Sequence, residues 1–170
     1  MKKKSFLRDL LEIAISVAII SFILIKFIIM PCQVHGSSMY PTLKDKERAY
    51  SFVITKSFGI DRFDICVVEP DLPDEEKLLV KRVIGLPNET VSYKNNQLFI
   101  NGEYIEETFL SDDVDTEDFN YQLGKDEYFC LGDNREVSKD SRYYGPFTSK
   151  QILATNIFVI FPFSEFGVRK

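Results

Sequence analysis

The chain has 170 residues, 45% hydrophobic and 28% charged, enough for one domain with a real core and too ordered in composition for large-scale disorder. Its net charge of -5 is uneven: residues 1–12 carry +2, from Lys2, Lys3, Lys4 and Arg8 against Asp9 and Glu12, which leaves -7 elsewhere. An acidic body argues against nucleic acid as a partner.

From the N-terminus, the basic cluster over about residues 1–9 gives way to an apolar stretch reaching residue 30, broken only by Ser16, Ser21 and Lys26 between positions 13 and 30. As a helix those 18 residues measure about 27 Å, close to the thickness of a bilayer core. Lys26 lies toward one end, where its stem can stay in lipid while the ammonium reaches the interface. Residues 10–30 are therefore expected to be a transmembrane anchor in contact with the lipid bilayer. The basic tail then lies on the cytoplasmic side and residues 31–170 outside. A cleaved signal peptide is the competing reading, since Gly36 and Ser38 are small residues at -3 and -1 spacing. The apolar stretch is longer than the usual signal-peptide core of about 7–15 residues, which favours an uncleaved anchor.

Immediately after this stretch comes HGSSMYPT at residues 35–42. Ser38 is the candidate nucleophile, although a hydroxyl beside Gly and Pro is by itself an ordinary turn residue. His35, the only histidine, invites a triad with Ser38. Residues three apart on an extended strand point to opposite faces, and no carboxylate is evidently placed to orient the ring, so that reading is rejected. One His and three scattered cysteines offer no metal-ligand set, and no cofactor is implied. Cys66 and Cys130 sit in apolar runs as small hydrophobes, and no structural disulfide is expected.

Beyond Pro41 the chain turns to short runs rich in Val, Ile, Phe and Tyr at residues 50–55, 65–69, 78–84, 90–93, 97–100, 127–131 and 157–161. Asn95-Asn96 and Asn101-Gly102 mark tight turns, because Asn and Gly tolerate positive φ. Long helical periodicity is absent, so the body is expected to be mostly β, with coiled antiparallel sheets. Residues 69–77 and the acidic stretch at about 106–126 read as solvated excursions.

Two further stretches carry chemistry. In LVKRVIGLP, residues 79–87, strand alternation puts Lys81 on the face of Leu79 and Val83, with Arg82 opposite. Such a lysine is either an edge residue that blunts aggregation or a general base. In water only about one lysine in 2500 is neutral at pH 7, so a base role demands desolvation of several pKa units. GDNREVSKDSR, residues 132–142, is dense in small polar and charged groups. Alone it is a turn-rich loop with a surface ion pair, but Ser138 can hold an amine and Asp140 can pair with Arg142.

In order, the apolar N-terminus, GSSMYPTL at 36–43, KRVIGLP at 81–87, the NG pair at 101–102 and GDNREVSKDSR at 132–142 resemble the type I signal peptidases, most closely their Gram-positive branch. The resemblance covers nearly the whole chain. It implies a membrane-anchored serine endopeptidase that removes signal peptides from secreted preproteins after small residues at -3 and -1. Ser38 would be nucleophile and Lys81 general base, with Ser138 orienting Lys81, Asp140 and Arg142 a supporting ion pair, and Asp133 a structural acid. Substrate pockets fall by register on Gln33, Val34, Met39, Leu43, Leu79 and Val80. Three positions depart from the family pattern. Gly36 stands where some members have a serine that completes the oxyanion hole, and Asn88 and Phe63 each stand where glycine is common. Self-cleaving repressors of the SOS type share this chemistry but carry a DNA-binding or regulatory segment instead of an anchor. A catalytically silent relative acting as a binding partner in secretion is the other alternative.

Overall fold

The computed structural model describes residues 2–71, 78–110 and 114–169. The side chains of residues 2–5, 23, 24, 26 and 27 lie outside the described ones, so the expectations for Lys26 and the basic cluster are not addressed. So do residues 72–77, most of the first expected excursion.

A helix, α1 (Lys2–Ile28), leads directly into a strand, β1 (Ile29–Gln33). The switch comes just before Pro31, which disfavours helical geometry in its predecessor Met30 and removes a backbone donor. Pro31 is tolerated in β1 because β1 is a terminal strand of its sheet. Leu10, Ile13, Val17, Ile20 and Ile25 of α1 are all exposed. Among the described residues, no helix is long and apolar enough to cross a membrane.

The body is mostly β, as expected. Its strands are β2 (Arg48–Phe52), β3 (Ile65–Val68), β4 (Leu79–Gly85), β5 (Thr90–Lys94), β6 (Gln97–Ile100), β7 (Glu103–Ile105), β8 (Phe119–Gln122), β9 (Glu127–Leu131), β10 (Phe147–Thr148), β11 (Ile152–Phe161) and β12 (Gly167–Arg169). The large antiparallel sheet runs β1-β2-β11-β3-β4-β9-β10, with β12 also on β11. A smaller sheet runs β7-β6-β5-β8. The Asn95-Asn96 turn joins β5 to β6 with both residues at positive φ, 49° and 61°, and Asn101-Gly102 does the same for β6 and β7.

Residues 50–55 are strand only to Phe52 and then a 3-10 helix, Val53–Phe58. The acidic stretch at 106–126 is not simply a solvated excursion. It contains β8, which pairs with β5, and it buries Leu123. Its alternation of Phe119 and Tyr121, both packed on the core beneath the small sheet, is masked in the sequence by the surrounding acids.

Both faces of the large sheet are covered over β3, which is why ICVV reads as a continuous apolar run. Ile65 and Val67 pack with Val34, Met39, Leu43 and Val159 on one side. Cys66 and Val68 pack with Leu79, Val83, Cys130 and Ile152 on the other. Tyr93, Leu98, Phe129 and Leu131 help form a third cluster that ties the small sheet to the end of β4 and β9. All three cysteines are free thiols.

Candidate active site

Three strands, β2, β11 and β3, separate β1 from β4 in the large sheet. Flat, that would put the two about 19 Å apart at the usual strand spacing. The sheet coils instead, so the turn following β1 folds over β4, and the Lys81 amine donates to Ser38 Oγ at 2.8 Å. Val34 and Met39 hold the turn down on Ile65, Val67 and Val80. Gly36 adopts φ +76° and gives its N–H to Asp45 Oδ1 at 2.9 Å, turning the chain toward Ser38.

Lys81 is 2% exposed, on a face shared with Leu79 and Val83 as alternation requires, and beside Cys66 in the register of β3 and β4. Its neighbour Arg82 faces the other way, fully buried. It makes a two-pronged pair with Asp133, Nε to Oδ1 at 2.9 Å and Nη2 to Oδ2 at 2.6 Å. Thr42 Oγ1 donates to the same Asp133 oxygen at 2.5 Å, so one carboxylate ties the Ser38 turn, β4 and the loop after β9 together. Sequence reasoning missed Arg82 and Thr42. A guanidinium inside an apolar strand was the available signal, since such a group needs a buried anion.

The loop after β9 lies against the turn. Asn134 N–H donates to the Ser38 carbonyl at 3.0 Å. Gly132 allows this approach, because a Cβ there would overlap both Ser38 O and Ser138 Oγ. Asp140 is buried and pairs with Arg142 at 2.8 Å, accepts from Gly132 N–H at 3.0 Å and caps the helix α2 (Ser141–Tyr144). Ser138 Oγ is buried without a hydrogen bond, so its expected hold on the Lys81 amine is not formed among the described residues.

Asn88 sits at φ 66° and Phe63 at φ 72°. Asn tolerates that region, whereas an aromatic residue is strained in it. Phe63 is fixed by three contacts: its N–H donates to Val83 O at 2.7 Å, its carbonyl accepts from Arg82 at 2.9 Å, and its ring meets Phe109 at 5.1 Å.

Ser38 and Lys81 open onto a groove of about 750 Å³. Gln33, Val34, Met39, Leu79 and Val80, five of the six residues assigned to substrate pockets by register, line it together with Cys32, Val137, Lys139 and Tyr144. Leu43 does not line it; the residue is fully buried under the turn beside Met39. Burial pushes the Cys32 thiol up to about 11, which leaves it a protonated, apolar wall residue. His35 is an exposed rim residue.

A hydroxyl 2.8 Å from a buried amine, in a groove with open strand edges, is a nucleophile–base arrangement. The comparisons place the chain among peptidases. The family model for signal peptidase, peptidase S26, matches residues 7–161. Signal peptidase I S of Bacillus subtilis is 42% identical over 96% of this chain and 94% of its own. Signal peptidase IB of Staphylococcus aureus is 38% identical over 94% and 93%. A crystal structure of a signal peptidase I from Enterococcus faecalis, 33% identical, aligns with a TM-score of 0.50 over 56% of this chain and 95% of that one. With a family match spanning most of its length and relatives similar almost end to end, the chain belongs to the signal peptidase family, peptidase S26.

Proposed function

We propose that this chain, a serine peptidase by its family, is a membrane-anchored endopeptidase that removes signal peptides from secreted preproteins with Ser38 as nucleophile and Lys81 as general base. The contact between Lys81 Nζ and Ser38 Oγ carries the reading. Burial disfavours an ammonium and leaves a neutral amine able to take the Ser38 proton. Ser38 Oγ attacks the carbonyl carbon of the scissile bond. Lys81 then protonates the departing amine, and water hydrolyses the acyl-enzyme.

Gly36 offers no side-chain donor to the oxyanion, and its own N–H is engaged by Asp45. The Ser38 N–H is the donor left to the oxyanion, an interaction worth about 3–4 kcal/mol in such sites. The substrate lies as an added strand in the groove. Two edges favour this: β1 is the sheet's terminal strand, and Leu79, Val80 and Lys81 pair with β3 while β9 begins its pairing only at Arg82. The apolar walls suit small side chains at -3 and -1.

The exposed apolar helix α1 supports the anchor, with the N-terminus cytoplasmic and the catalytic body outside the membrane. Ser38 follows Met30 by eight positions, which keeps the nucleophile near the surface from which a preprotein's cleavage site emerges. Asp133, Asp140 and Arg142 act as supports for the Ser38 turn.

A preprotein cleavage assay tests the dyad. Wild type cuts, whereas Ser38→Ala and Lys81→Ala, both folded by circular dichroism, fall by at least about 10³-fold. Wild-type rates from either folded variant would sink the assignment.

A further inference from the structure

The loop bearing Asn134 is held from its far side by a residue of the acidic segment. Glu107, whose side chain is 6% exposed, accepts from Arg135 Nη2 at 2.6 Å and from Tyr93 Oη at 2.5 Å. Arg135 is fully buried, donates from Nη1 to the same tyrosine oxygen at 2.9 Å and from Nε to Gly132 O at 3.0 Å. Tyr93 belongs to β5 of the small sheet. A closed triangle of acid, base and phenol therefore fastens the small sheet to Arg135 and, through it, to Gly132, which lies close against the Ser38 carbonyl. Between the two lies Asn134, which donates directly to that carbonyl.

We propose that Glu107 is a positioning residue of the peptidase reaction: through Arg135 it fixes the loop 132–135, and through that loop the place of Ser38 relative to Lys81. The inference rests on the dyad assigned above. Glu107 touches neither substrate nor dyad. What it controls is whether the loop sits in one position. Without the carboxylate, Arg135 is a buried guanidinium with only neutral acceptors, and it can gain hydration only by moving, which drags Gly132 and Asn134 with it. The groove walls at Gln33, Val34, Leu79 and Val80 are built from β1, the residue after it, and β4, so substrate binding should persist while the reacting atoms lose alignment. A misplacement of about 1 Å is enough to cost on the order of 10²-fold in rate.

The test uses the full chain in detergent and a preprotein substrate, with kcat and KM measured well below each variant's melting temperature. Glu107→Gln is expected to lower kcat at least about tenfold with KM within about twofold. Tyr93→Phe, which removes one hydroxyl from the triangle, is expected to lower kcat about threefold, again with KM unchanged. A purely structural role would lower the melting temperature and leave kcat per folded molecule intact, and that result overturns the proposal. If Glu107→Gln does not fold, Tyr93→Phe decides alone: a lowered kcat supports the proposal and a wild-type kcat overturns it. Failure of the dyad is read separately, from a Ser38→Ala variant that still cleaves.

Discussion

At the scale of single residues, Gly132 makes the sharpest demand. The Ser38 turn and the loop after β9 meet at its Cα, and a methyl group would strike the Ser38 carbonyl, which is backbone and cannot rotate away. Gly132→Ala is therefore expected to push the nucleophile from Lys81. Cleavage should fall at least about 10²-fold, and overpacking should cost about 1–3 kcal/mol of stability in a urea titration. An alanine variant of normal activity would show that the turn and loop can separate without consequence. Lys81 stood out in the sequence as a polar residue on an apolar strand face, whereas Ser38, an ordinary turn hydroxyl by itself, stood out by its place just after the apolar stretch and by the motif order. Gly132 did not, since a close approach between two segments 94 positions apart leaves no local trace. Leu43 shows the reverse error, because a position matched by register alone was taken for a pocket wall and is core.

Among the elements, β4 carries two consecutive buried basic side chains that serve opposite faces, Lys81 toward Ser38 and Arg82 toward Asp133. The alternation of a strand made that division readable, but the partner of Arg82 lies 51 residues away and only the folded sheet supplies it. Removing one member strands a charge in the interior. Arg82→Met or Asp133→Asn should each destabilise by about 3–5 kcal/mol, and the double variant should cost well short of their sum. Strict additivity in the cycle would mean the pair is not coupled. The hairpins at Asn95-Asn96 and Asn101-Gly102 were legible because their conformation is set locally by residues that tolerate positive φ. β1 and β8 were not. The first continues the apolar composition of α1 and becomes a strand only because the helix stops at Ile28 and β2 offers an edge. The second hides two inward aromatics among acids.

The whole molecule pairs an apolar helix that finds little cover with a body whose own core is closed. Among the described residues, the three clusters that form that core draw none from α1, and the nearest side chain packed against them is Met30, already in β1. The body should therefore fold without residues 1–28, and the dyad, which depends on β1, β4 and the loop after β9, should remain assembled. On the proposed anchoring, what such a truncation loses is the shared membrane. With enzyme and preprotein in one bilayer, the cleavage site is presented at an effective concentration in the millimolar range, and a truncated enzyme must find it from bulk solution. Deleting residues 1–28 is expected to leave kcat on a short soluble peptide within about threefold of the full chain. Its cleavage of a preprotein reconstituted in liposomes should fall by about 10²-fold or more, and it should no longer float with the vesicles. Equal losses on both substrates would place α1 in the catalytic structure rather than in the membrane, and undiminished flotation would move the lipid contact to the body.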